Sequence, residues 1–100
     1  EVEDVVMRAL PLGGMAKYEY KQQELSLAAN DVVVLMSDGL PERFNPQGAM
    51  LEEQAAKQYL AEHASGSAQQ LIEGLAKLGD DWGGARPQDD DVTFVVLKCL

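Results

Sequence analysis

The chain has 100 residues, enough for one modest core, and its 17 acidic against 8 basic residues give a formal charge of -9. That balance speaks against nucleic acid or an anionic membrane surface as a partner. The lone cysteine, Cys99, excludes an internal disulfide and a cysteine-rich zinc site. No apolar run approaches the roughly eighteen residues that span a bilayer, so no membrane insertion of this segment is expected. The acidic opening Glu1 to Asp4 is unlike the basic start of a secretory signal. A cytoplasmic protein is expected, and the opening without methionine or cap reads as a segment of a longer polypeptide.

Within Tyr18 to Leu27, Leu25 and Leu27 alternate with polar neighbours, which predicts a strand with one solvated face. Ala29-Asn30-Asp31 supplies turn chemistry, so a hairpin into the next segment is expected. That segment, Val32 to Met36, is continuously apolar and predicts a central strand covered on both faces. Glycines, prolines and Asn45 between Ser37 and Gly48 predict a surface loop. From Leu51 the apolar positions Leu51, Ala55, Ala56, Tyr59, Leu60 and His63 share one helical face. Ser65-Gly66-Ser67 ends that helix, and Ser67 with Gln70 forms a capping box for a second. The second helix carries the stripe Ala68, Leu71, Ile72, Leu75, Leu78 and Trp82. Val92 to Leu97 is a final apolar strand.

The predicted order is strand, strand, helix, helix, strand. A tight turn between the first two strands makes them antiparallel, and no glycine-rich phosphate loop opens either helix. An α+β class follows, with helices packed on one face of an antiparallel sheet.

Acidic residues fall at the ends of two predicted strands. Asp38, followed by Gly39, lies just past the strand ending at Ser37, and Asp89, Asp90 and Asp91 precede the last strand. If those strands are antiparallel neighbours, both groups share one rim of the sheet, and the carboxylates repel unless a cation holds them. Hard oxygen donors then point to magnesium or manganese rather than zinc. The same residues also suit a turn and a solvated loop. Arg43 and Arg86 flank the two acidic groups, placed to screen them or to steer a substrate phosphate. Trp82 and Met36 read as core residues, His63 as a packing or solvent-contact residue rather than a catalytic one, and Cys99 has no activating neighbour.

Leu35-Met36-Ser37-Asp38-Gly39-Leu40, with Glu42 and Asn45 after it, resembles the second metal motif of the PPM phosphatases in their SpoIIE-like bacterial branch. Gln88-Asp89-Asp90-Asp91-Val92-Thr93-Phe94-Val95-Val96 resembles that family's last metal motif. Leu10-Pro11-Leu12-Gly13 resembles its proline-leucine-glycine turn. Leu27 to Asp31 is similar to its proline-glycine-aspartate segment, with Ala29-Asn30 in place of proline-glycine.

The resemblance implies that residues 1–100 are the C-terminal portion of a SpoIIE-like domain, part of an α-β-β-α sandwich with a two-metal Mn2+ or Mg2+ site. By the same resemblance Asp38 and Asp90 are metal ligands, and Gly39, Asp89 and Asp91 are outer-shell or further metal candidates. The early aspartate-bearing strand and the aspartate-glycine motif of the family have no counterpart before Asp38. The implied activity is hydrolysis of phosphoserine or phosphothreonine by the parent protein, acting on a phosphorylated regulatory protein such as an anti-sigma-factor antagonist. Two alternatives stay open: a non-catalytic binding or regulatory module derived from such a domain, and an acidic interaction domain whose aspartates only make turns.

Overall fold

The computed structural model describes residues 2–5 and 12–100. Its regular elements are strand β1 (Val32–Met36), helix α1 (Glu53–His63), helix α2 (Ala68–Gly83) and strand β2 (Phe94–Lys98). The strands pair antiparallel, with Val34 opposite Val96 and Met36 opposite Phe94. The helices lie against one face of this two-stranded sheet, so the fold is α+β. The arrangement matches one sheet-and-helix half of an α-β-β-α sandwich.

The pleat decides which residues enter the core. On an antiparallel pair, alternate side chains point to opposite faces. Val34, Met36 and Phe94 therefore reach the helices and pack against Leu40, Leu51, Ala56 and Leu75, while Leu71 is also fully enclosed. The opposite face is open: Leu35 is 58% exposed, Val95 46% and Leu97 53%. The expectation that Val32 to Met36 is covered on both faces is thus corrected. Its continuous apolar run reflects two apolar faces, only one of which meets a layer among the described residues.

Helix α2 begins as its sequence specifies. The Ser67 hydroxyl accepts from the Gln70 amide at 3.1 Å, and the Gln70 side chain accepts from the Ser67 amide at 2.9 Å, a reciprocal capping box. Leu71 and Leu75 follow one turn apart on the buried side, and Gly79 and Gly83 continue that line where neighbours come close. Helix α1 starts without a side-chain cap, and the Glu52 amide donates instead to the Pro41 carbonyl at 2.7 Å. Leu51 is buried ahead of this helix rather than within it, and His63 is exposed, stacked on Tyr59 with its ring nitrogen 2.9 Å from the Tyr59 carbonyl. At the far end of β2 the Lys98 ammonium donates to the carbonyls of Ala64 and Gly66 at 3.0 and 2.7 Å, satisfying acceptors where α1 ends.

Three further expectations change. Residues 18–27 form no strand: they are mostly exposed, and Leu25 and Leu27 border an open groove along β1 without pairing to it. Two apolar positions beside the polar run Lys21 to Glu24 give too little burial to fix a third strand. The turn after them does form, with Asn30 at φ 71 and the Asp31 carboxylate accepting from the Ala28 amide at 2.8 Å. The last strand runs Phe94–Lys98 rather than from Val92. The segment after Ser37 is not a surface loop throughout, since Gly39, Leu40, Pro41 and Arg43 are buried. Leu10 and Pro11, half of the proline-leucine-glycine turn, lie outside the described residues.

Two substitutions test this packing. Leu75→Ala, at a fully enclosed site, is expected to cost about 2–5 kcal/mol in chemical denaturation. Val34→Asp, which drives a charge into the helix-facing side of β1, is expected to abolish the cooperative unfolding transition seen by circular dichroism. Unchanged melting of Val34→Asp would place that side chain on the wrong face.

Candidate functional site

The register of β1 and β2 brings the two acidic motifs together. Beyond the pair Met36 and Phe94, the ladder continues one step, with the Ser37 amide donating to the Thr93 carbonyl at 3.0 Å. The Ser37 hydroxyl then works in both directions. It accepts from the Thr93 amide at 2.9 Å and donates to the Asp91 carbonyl at 3.2 Å. One short side chain thereby fixes the approach of the 91–93 backbone to the end of β1, across 54 positions of sequence.

Gly39 is the second device. A Cβ built there would lie 2.8 Å from the Asp91 carbonyl carbon and 3.0 Å from a Val92 methyl group. Glycine is therefore required by close approach of two backbones rather than by a left-handed turn. After Gly39 the chain turns inward, with the Glu42 amide donating to the Asp38 carbonyl at 3.0 Å, and Leu40 is 1% exposed in the core. Asp38 is consequently held between a strand end and a buried turn, with its carboxylate side exposed.

On the other side of the rim, each aspartate of the triplet faces a different environment. The Asp89 carboxylate lies 3.2 Å from Arg86 Nε, and an Asp90 carboxylate oxygen accepts from the Asp91 amide at 2.8 Å. Asp91 contributes its carbonyl to Ser37, as described. Two cations have pKa values raised above the ordinary lysine value. Lys57 is raised chiefly by its side-chain hydrogen bond to Asp4 and Lys77 by that to Asp81; both lie on the helices rather than at the rim.

The sequence-derived arrangement of Asp38, Gly39 and Asp89 to Asp91 at one end of the sheet is thus a backbone arrangement. Hard carboxylate oxygens are the right donors for magnesium or manganese. Among the described residues, however, no three His, Cys, Asp or Glu side chains converge into a group able to hold a metal ion. The described residues therefore do not by themselves fit the metal centre that the resemblance implies. Arg43 also departs from expectation: it is 8% exposed and donates to the Arg86 carbonyl, so it is not placed to steer an incoming phosphate. Sequence reasoning passed over Ser37 as a strand end. The signal was its small hydroxyl at the step between an apolar run and Asp-Gly.

The strand-end acidic turn thus meets an acidic entry to the neighbouring strand, with two helices on one sheet face. The chain belongs to the stage II sporulation protein E (SpoIIE) family, whose model matches residues 1–100. It is similar to the phosphoserine phosphatase RsbU of Bacillus subtilis (strain 168), at 33% identity over 99 residues. That match covers 95% of this chain and 28% of the relative, so the chain spans little more than a quarter of the relative's length. No solved structure matches it.

Gly39→Ala tests the junction. Its methyl group meets backbone rather than a flexible side-chain end, so the rim must separate, at an expected cost of about 1–3 kcal/mol. Denaturant unfolding measures that cost. A variant as stable as the parent would show that the two backbones are farther apart than described.

Proposed function

We propose that this chain, taken alone, is a non-catalytic module of a SpoIIE-type phosphatase domain. In this reading it supplies the framework and two carboxylates, Asp38 and Asp90, to a metal site completed by ligands outside the described residues. The observation that carries the reading is the junction itself: the Asp38-Gly39 turn is packed against the Asp91-Val92 backbone, yet no three-ligand group forms there.

For the parent protein we propose hydrolysis of phosphoserine or phosphothreonine on a regulatory protein, with manganese or magnesium as cofactor. An anti-sigma-factor antagonist is the substrate class the family resemblance suggests, and the similar protein RsbU is itself named a phosphoserine phosphatase. Asp89 and Asp91 would act as neighbours of the ligands, and Gly39 as the spacer that lets the motifs meet. A cytoplasmic setting belongs to the same proposal; among the described residues no helix is long and apolar enough to cross a membrane.

Two measurements separate the module from the enzyme. This chain alone is expected to bind manganese with affinity in about the millimolar range or weaker and to release no phosphate from a phosphoserine peptide. In the intact protein, Asp38→Ala and Asp90→Ala are each expected to lower phosphate release by about two orders of magnitude or more while circular dichroism stays unchanged. His63→Ala should leave the rate intact. A tight two-site manganese isotherm from the chain alone would overturn the incomplete-site argument. Near-native rates in both folded aspartate variants would remove these positions from the chemistry.

A further inference from the structure

Arg43 is a buried cation without a counter-ion. Its Nη2 donates to the Arg86 carbonyl oxygen at 2.9 Å, and its Nη1 has no hydrogen-bond partner among the described residues. Among the described residues it takes part in no ion pair. Burying a charge on such terms is costly, and an apolar side chain of similar length would fill the same space at less expense. An apolar chain could not, however, bind the Arg86 carbonyl.

That carbonyl belongs to the segment leading into the acidic triplet. Arg86 donates its amide to the Gly83 carbonyl at 2.9 Å, lays its guanidinium 5.0 Å from the Phe44 ring centre, and meets Asp89 through Nε. Gly83 makes room for the arrangement: a Cβ there would lie 2.5 Å from both Nε and Cζ of Arg43. A continuous chain of contacts thus runs from the turn after Asp38, through Arg43, to Arg86 and on to Asp89.

We propose that Arg43 is a positioning residue, whose buried guanidinium sets the place of the Arg86 to Asp91 segment, and with it the acidic triplet, against Asp38-Gly39. The catalytic consequence rests on the function proposed above. The positional role does not.

The test uses Arg43→Met and Arg43→Lys in the intact protein. Arg43→Met fills the space without a donor, and Arg43→Lys retains one. Hydrogen exchange at the Arg86 and Thr93 amides, which bond to Gly83 and to the Ser37 hydroxyl, is expected to quicken by about tenfold or more in Arg43→Met. Exchange in α2 at Leu71 and Leu75 should hold, with Tm unchanged or raised, and Arg43→Lys should fall nearer the wild type. Phosphate release should fall in kcat by about tenfold to a hundredfold with KM little changed. Wild-type protection at Arg86 and Thr93 in folded Arg43→Met would overturn the proposal. So would loss of the whole fold in both variants, since Arg43 would then be holding the core rather than the segment. Quickened local exchange with an undiminished rate would support the positional role and count against the proposed part of the acidic triplet in catalysis.

Discussion

The antiparallel register of β1 and β2 is the constraint on which the rest of the chain depends. It joins residues far apart in sequence, with Met36 opposite Phe94, and a single-residue slip would exchange the two faces of the slipped strand. Val34 and Met36 would then leave the helices, and the Ser37 hydroxyl would lose its two partners in the 91–93 segment. Core and candidate site are therefore set by one pairing. The burial of Val34, Met36 and Phe94 against Leu75 and Leu40 fixes the register, and the register delivers the acidic segments to the same rim.

Close approach recurs around that rim, and glycine permits each instance. Gly39 admits the Asp91 backbone, Gly79 admits the Leu40 side chain, and Gly83 admits the Arg43 guanidinium. The last two lie four residues apart on the inner face of α2, so one helix stripe receives the Leu40 and Arg43 side chains from the segment after Asp38. The turn after Asp38 is in this way anchored from below, by packing against α2, and from the side, by the end of β2. An interior packed at close to crystal density transmits a displacement rather than absorbing it. A change at Gly79 or Gly83 should consequently be felt at Asp38, although neither residue touches it.

Much of this was legible in the sequence. The capping box at Ser67 and Gln70 named the start of α2, and the spacing of Leu71, Leu75 and Leu78 named its inner face. The position of Asp38 after one apolar strand and Asp89 to Asp91 before another placed both at one rim, given antiparallel pairing. What was not legible depended on three-dimensional partners. Alternation at Leu25 and Leu27 is a local pattern, and without enough apolar neighbours it made no strand. Arg43 read as a surface cation because charge usually lies outside; only the groove left by Gly83 shows why it lies inside. Ser37 is an ordinary polar residue until Thr93 and Asp91 stand beside it. The convergence of three or more carboxylates needs side-chain directions that strand ends do not specify.

The open face of the sheet bears on the proposed metal site. Leu35, Val95 and Leu97 are apolar and exposed to between 46% and 58%, on the side away from the helices. Full burial of a side chain of this size is worth about 1.5–3 kcal/mol, so three of them in water forgo several kcal/mol of available stabilisation. Surface strands ordinarily alternate apolar with polar residues, and these do not. The two-sheet sandwich that the family resemblance implies would cover this face with a second sheet. Such a layer would meet the sheet on the side opposite α2, beside the same rim that carries Asp38 and the triplet. A domain that finishes its core across this face would also be placed to contribute further ligands at its end. On the function proposed above, incomplete burial and an incomplete ligand set would then have one cause, a layer outside the described residues.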